Sequence, residues 1–108
     1  MARAATTLGP FNAVAEPKRR LVLETLAAGE MPVGDLVGRL GWPQPMVSKH
    51  LGVLKSAGLV RDRRDGRETH YTAQPKGLAP LVNWMNHYRA FWSERFDRLD
   101  DLLKRMDQ

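Results

Sequence analysis

None of the 108 residues is a cysteine. Disulfides, thiolate metal sites, thiol redox switching and cysteine nucleophiles are excluded together. That absence suits a reducing compartment, and the expected location is cytoplasmic. Long apolar runs are missing as well: no stretch approaches the ~18 residues of a membrane-spanning helix, so no membrane partner is expected. No signal peptide is read at the N-terminus, where Arg3 is followed by a segment broken at Gly9-Pro10.

Histidine is scarce. His50, His70 and His87 share no helical i,i+3 or i,i+4 spacing, and zinc normally takes three or four ligands. No metal and no cofactor is therefore expected. Ser48 and His50 would point about 200° apart on a helix, so they cannot serve as nucleophile and base within one subunit. The chain also has no glycine-rich phosphate loop and no carboxylate pair in an apolar setting. These absences exclude the familiar enzyme constellations.

The most informative absence is local. Between Asp35 and Asp62 there is no acidic residue, while Arg39, Lys49, Lys55 and Arg61 fall in or beside that stretch. A solvated surface helix normally mixes both signs, because opposite charges at i,i+4 support it. Omitting one sign is explained by a polyanionic partner, which acidic groups would repel; a merely basic surface helix is the alternative. The formal charge of +5 agrees with an acidic partner but is weaker evidence than the clustering.

Within this stretch the segment 41–60, GWPQPMVSKHLGVLKSAGLV, reads as a helix. At about 100° per residue, Val47, Leu51, Leu54 and Gly58 fall in one narrow arc. Ser48, Lys49, Gly52, Lys55 and Ser56 gather opposite, with Pro45. The first arc is a packing stripe; the second offers hydrogen-bond donors, ammonium groups and a glycine that permits close approach.

The rest of the chain is arranged around this helix. Residues 1–7 are small and polar, and frayed ends are common in such segments. Leu8, Phe11 and Val14 lie at helical spacing, and Pro17 suits the first position of a second helix ending near Gly29. Lys18, Arg19 and Arg20 at its start either touch phosphates or are solvated. A short helix over 33–40 packs through Val33, Leu36, Val37 and Leu40 and stops at Gly41. With the helix over 44–57 it makes a helix-turn-helix across 33–57.

Across 59–72 the pattern changes. Asp65-Gly66 signals a two-residue hairpin turn in which both positions accept positive φ. Arg61, Arg63, Arg64 and Arg67 load its tip, partly offset by Asp62, Asp65 and Glu68. The hairpin is either a phosphate-contacting wing or a solvated loop, and the first reading is preferred.

The segment 78–106 reads as one helix spanning ~40 Å. Leu78, Leu81, Val82, Met85, Tyr88, Trp92, Phe96, Leu99, Leu103 and Met106 continue in steps of three and four, near a heptad seam. So small a domain cannot cover this stripe from within, and an uncovered one would be an oversized apolar patch. A two-fold homodimer through 8–30 and 78–106 is the expected answer; folding back over its own domain is the alternative. The expected fold is mostly α with a small β-hairpin, in one domain over 1–108.

From Glu16-Pro17-Lys18-Arg19-Arg20-Leu21 through Met46-Val47-Ser48-Lys49-His50-Leu51 to Gly58-Leu59-Val60, the chain resembles the ArsR/SmtB family of bacterial winged-helix repressors. The resemblance implies a dimer with first and last helices at the interface, a recognition helix in the major groove, and repression from a palindromic operator in double-stranded DNA. It places base and phosphate contacts at Gln44, Ser48, Lys49 and His50, and wing contacts at Arg63, Arg64 and Arg67. Where many members carry metal-sensing cysteines, this chain has Val33 and Gly34, so it resembles a member without those sites. Pro32 and Pro43 replace the usual Ser or Thr helix caps.

Two functions follow. The first is a dimeric, sequence-specific DNA-binding repressor. The second is a winged-helix interaction module whose basic helix docks an acidic protein. A small-molecule effector is a refinement of the first, for which Trp84, Tyr88, Phe91 and Trp92 offer an interface pocket. A packed interface is the plainer reading of those residues.

Overall fold

A computed structural model describes residues 9–107. Leu8, expected at the dimer face, lies outside the described residues.

Helix α1 spans Pro10–Ala15 and α2 spans Pro17–Leu26, each with proline in its first turn, where the missing N–H would have no helical acceptor. Glu16 ends the one and caps the other, its carboxylate accepting from the Lys18 amide at 3.3 Å. Strand β1, Met31–Pro32, leads directly into α3, Val33–Leu40. Gly41, at φ 70°, closes α3 by donating to the Val37 carbonyl at 2.9 Å. Helix α4 follows over Gln44–Ser56.

The end of α4 is a complete Schellman cap. Leu59 donates to the Leu54 carbonyl at 2.9 Å and Gly58 to Lys55 at 3.0 Å. Gly58 takes φ 80°, and Leu54 and Leu59 join the same buried core. Pro32 and Pro43 sit at the N-cap positions of α3 and α4, and neither helix has a side-chain cap. Pro45, not Pro43, occupies the first turn of α4.

Strands β2, Val60–Asp65, and β3, Glu68–Ala73, form the hairpin. Its turn is one residue later than Asp65-Gly66: Asp65 pairs with Glu68, leaving Gly66-Arg67 as the loop. Gly66 has φ 64° and no non-glycine residue has positive φ among the described residues. A turn with positive φ only at its first central position needs one glycine, and Asp65 is free to stay in the strand. The sheet has a third strand that the sequence pattern did not announce. β1 pairs antiparallel with β3, Met31 opposite Tyr71, giving the order β1-β3-β2.

The expected single helix over 78–106 is divided. A 3-10 turn at Pro75–Leu78 leads into α5, Ala79–His87, and then α6, Arg89–Met106. Tyr88 separates them at φ −104°, ψ 7°, the bridge region between helix and extended conformations. α5 lies against the body, where Trp84 meets Phe11 edge-on at 6.3 Å. Every described side chain of α6 is exposed, and the molecule measures 61 × 38 × 21 Å. The core lies at the other end: Ala13, Val22, Leu26, Met31, Leu36, Val47, Leu51, Leu54, Leu59 and Val60.

Candidate nucleic-acid interface

The buried residues Val47, Leu51 and Leu54 hold one side of α4 on the core. Gln44, Ser48, Lys49, Gly52 and Lys55 are consequently exposed on the other. Gln44 and Ser48 share a cleft of about 330 Å³ with Gly34 at the start of α3 and with Arg67, Thr69 and Tyr71 of the hairpin. The first turns of two helices and the hairpin tip thus open onto one concave surface.

The alternation of β2 sorts its arginines. Successive strand residues point to opposite faces. Val60 is buried, so Asp62 and Arg64 share its face toward α4, and Arg61 and Arg63 take the other. The contacts agree. Lys55 of α4 donates to Asp62 at 3.1 Å, while Arg63 pairs with Glu30 at 2.7 Å across the opposite face. Lys49, Arg61, Arg64 and Arg67 form no ion pair among the described residues. Of the nine residues expected to face nucleic acid, Gln44, Ser48, Lys49, Arg64 and Arg67 therefore gather on the α4 side of the hairpin. Lys55 is there too, tied to Asp62. Arg61 and Arg63 are behind.

His50 does not belong to that face. It is 8% exposed and lies 6.2 Å from the Trp42 ring, edge to face. Its Nδ1 has no hydrogen-bond partner among the described residues. Burial, then the nearby Arg19 guanidinium, pushes its pKa below the ordinary 6.5; Glu16 opposes, and Lys49 and Lys18 add to the fall. The reason is angular: one turn from Val47, its ring falls on the packing side. Lys18 sits 5.6 Å over the Trp42 ring.

Arg19 and Arg20, for which phosphate contact and solvation were the options, do something else. Arg19 donates from Nε to the Ala13 carbonyl at 2.7 Å and from Nη2 to Asn12 at 3.1 Å. Arg20 donates to Val14 at 2.7 Å. Both satisfy carbonyls left over at the end of α1, fastening it to α2. Trp42, Glu30 and Tyr71 were not singled out in the sequence. Only Tyr71, alternating with Thr69 on the cleft-facing side of β3, had a readable signal.

A second surface is apolar. Phe11, Met85, Tyr88, Trp92, Phe96 and Leu99 are 39–63% exposed, whereas Val14 and Leu81 are half-buried. Trp84, Met85, Trp92 and Phe96 line a groove of about 660 Å³. Of the four residues expected to form an interface pocket, Trp84 and Trp92 line it, while Tyr88 and Phe91 lie outside its lining and link the two through edge-on ring contacts.

Two helices joined by a short turn, followed by a hairpin beside the second helix, define a winged helix-turn-helix, a class built around a helix presented to DNA. Residues 16–62 match the bacterial regulatory proteins of the arsR family. The chain is 33% identical over 78 residues to the transcriptional repressor SdpR of Bacillus subtilis, covering 72% of this chain and 87% of that one. It is 45% identical over 83 residues to the HTH-type transcriptional regulator Rv2034 of Mycobacterium tuberculosis, covering 77% and 75%. A solved structure, described as a possible transcriptional regulator for arsenical resistance, superposes with TM-score 0.67 at 39% identity, over 81% of this chain and 88% of that one. The chain belongs to the ArsR family of bacterial transcriptional regulators.

Proposed function

We propose that the protein is a homodimeric, sequence-specific DNA-binding repressor acting at a palindromic operator. The observation that carries this reading is the concave surface shared by Gln44, Ser48 and Arg67, with Lys49 and Arg64 exposed beside it and no acidic residue from 36 to 61. Gln44 has the amide that pairs with adenine, Ser48 a hydroxyl for either base, and Lys49 an ammonium for guanine or phosphate. Arg64 and Arg67 supply the wing's positive charge. Repression is the activity that SdpR's name gives it.

The dimer rests on the apolar faces of α1, α5 and α6. Their large side chains stand about half exposed in the single chain, a patch that a two-fold mate would cover on both copies at once. Two recognition helices so related would read half-sites about one helical turn, ~34 Å, apart or a multiple of it. Val33 and Gly34 offer no donor side chain where cysteines would be needed, so the repressor is not expected to respond to metal through that position.

The test is fluorescence-anisotropy titration against DNA from upstream of the protein's own gene and against a scrambled duplex, over a salt series. Preference for the upstream duplex supports the reading. Equal binding with a steep salt slope leaves an electrostatic anchor. Absence of binding to either at low salt favours docking of an acidic protein instead.

A further inference from the structure

We propose that Glu30 is a positioning residue for the wing, and that Arg63 serves Glu30 rather than DNA. The proposal rests on the DNA-binding reading above but concerns residues that reading leaves aside. Arg63 Nε donates to both Glu30 carboxylate oxygens at 3.0 Å, and Nη2 donates to Oε1 at 2.7 Å. The Thr72 hydroxyl donates to Oε2 at 3.0 Å. One carboxylate thus joins β2 and β3 to the residue that enters β1. The planar guanidinium fixes both distance and angle, which a point charge would not. The Arg63 hydrogen bond is the main reason the Glu30 carboxyl titrates below its ordinary range; burial opposes the fall and Thr72 assists it.

The position of this contact gives it a task. β2 is an edge strand, with β3 on one side and no further strand on the other among the described residues, so the ladder alone leaves its tilt loosely set. Two ion pairs on opposite faces restrain it. Asp62 ties the inner face to Lys55 of α4 at 3.1 Å, and Arg63 ties the outer face to Glu30. Between them they fix where the hairpin tip, with Arg64 and Arg67, stands relative to Gln44 and Ser48. A phosphate approaching Arg63 would have to displace three hydrogen bonds and lie beside a carboxylate. That is a poor place for a polyanion.

Charge exchange separates positioning from contact. The duplex is one that the wild-type chain selects from a random-sequence pool, and thermal melting of each variant confirms that it folds. R63E should weaken binding on the order of tenfold, and E30R/R63E should recover to within about threefold of wild type, because the clamp is rebuilt with its ends reversed. E30Q should weaken binding with an unchanged salt slope. The proposal is overturned if the exchanged pair stays as weak as R63E, if E30Q binds as tightly as wild type or more so, or if R63A lowers the salt slope by ~0.9, the signature of one lost phosphate contact. A wild-type chain that selects no sequence and binds no duplex would instead sink the DNA-binding reading, an outcome distinct from these.

Discussion

At the scale of single residues, the two sides of α4 lead to different measurements. On the outer side, Lys49 carries an ammonium that forms no ion pair among the described residues, and Gln44 carries an amide able to make a bidentate contact. Lys49→Ala should weaken binding: an equal loss on all duplexes with the salt slope reduced by ~0.9 assigns the ammonium to phosphate, and a loss confined to the selected site assigns it to guanine. Gln44→Ala should instead cost ~1–3 kcal/mol on the selected site and relax preference at one base pair. Equal losses on selected and scrambled DNA for Gln44→Ala would count against base reading. On the inner side, His50 titrates below its ordinary value because the folded chain disfavours its charged form. The unfolded chain therefore binds the proton more readily, and stability falls as pH drops below the unfolded value of about 6.5. Melting temperature should decline between pH 7 and about 5.5 in wild type and decline less in His50→Phe. Identical pH profiles would show that the ring is not the titrating group. The position of His50 was legible: it lies about 60° from Val47 on the helical wheel, within reach of the packing arc. The resemblance placed it on the DNA face, and the wheel was the better guide.

At the scale of elements, what could be read in advance had strong local punctuation. Prolines opened α1 and α2, where their fixed φ suits a first turn; Gly41 and Gly58 closed α3 and α4 and Gly66 marked the hairpin, each at a positive φ that few other residues adopt. Contacts between distant segments left no such mark. β1 is two residues long, one of them proline, and exists because β3 arrives to pair with it. Glu30 meets Arg63 across 33 positions of sequence. The break at Tyr88 was hidden for the opposite reason: apolar steps of three and four run straight through it, with no proline or glycine to interrupt them. A tertiary contact of the same hidden kind is Gly77. A Cβ there would meet the Gly58 carbonyl, which is backbone and cannot swing aside, with the Leu59 side chain behind it. Gly77→Ala should destabilise the fold by ~1–3 kcal/mol, read as a lower urea midpoint with m unchanged. A midpoint equal to wild type would mean that the 3-10 turn shifts away at no cost.

At the scale of the molecule, core and apolar surface are separated. The described core is drawn from α1 to α4, β1 and the start of β2, while α6 leaves the body with all its described side chains exposed. A helix in that state has few stabilising contacts of its own, since helical stability comes mostly from packing of an apolar face. Phe96 and Leu99 are 63% and 50% exposed, one turn apart on the same stripe. Burying them against a two-fold mate would stabilise α6 and dimer together. In light scattering the chain should run at twice its 12.2 kDa. Phe96→Asp would place an unpaired carboxylate in the contact, where burial without a partner is costly, and should give a monomer with reduced helix content. The recognition helix of such a monomer stays attached to its core, so single half-site binding should persist. Affinity for a two-half-site operator should fall steeply, because the second contact is no longer intramolecular. Wild-type mass with undiminished operator affinity in Phe96→Asp would place the interface elsewhere, on α1 and α5 alone.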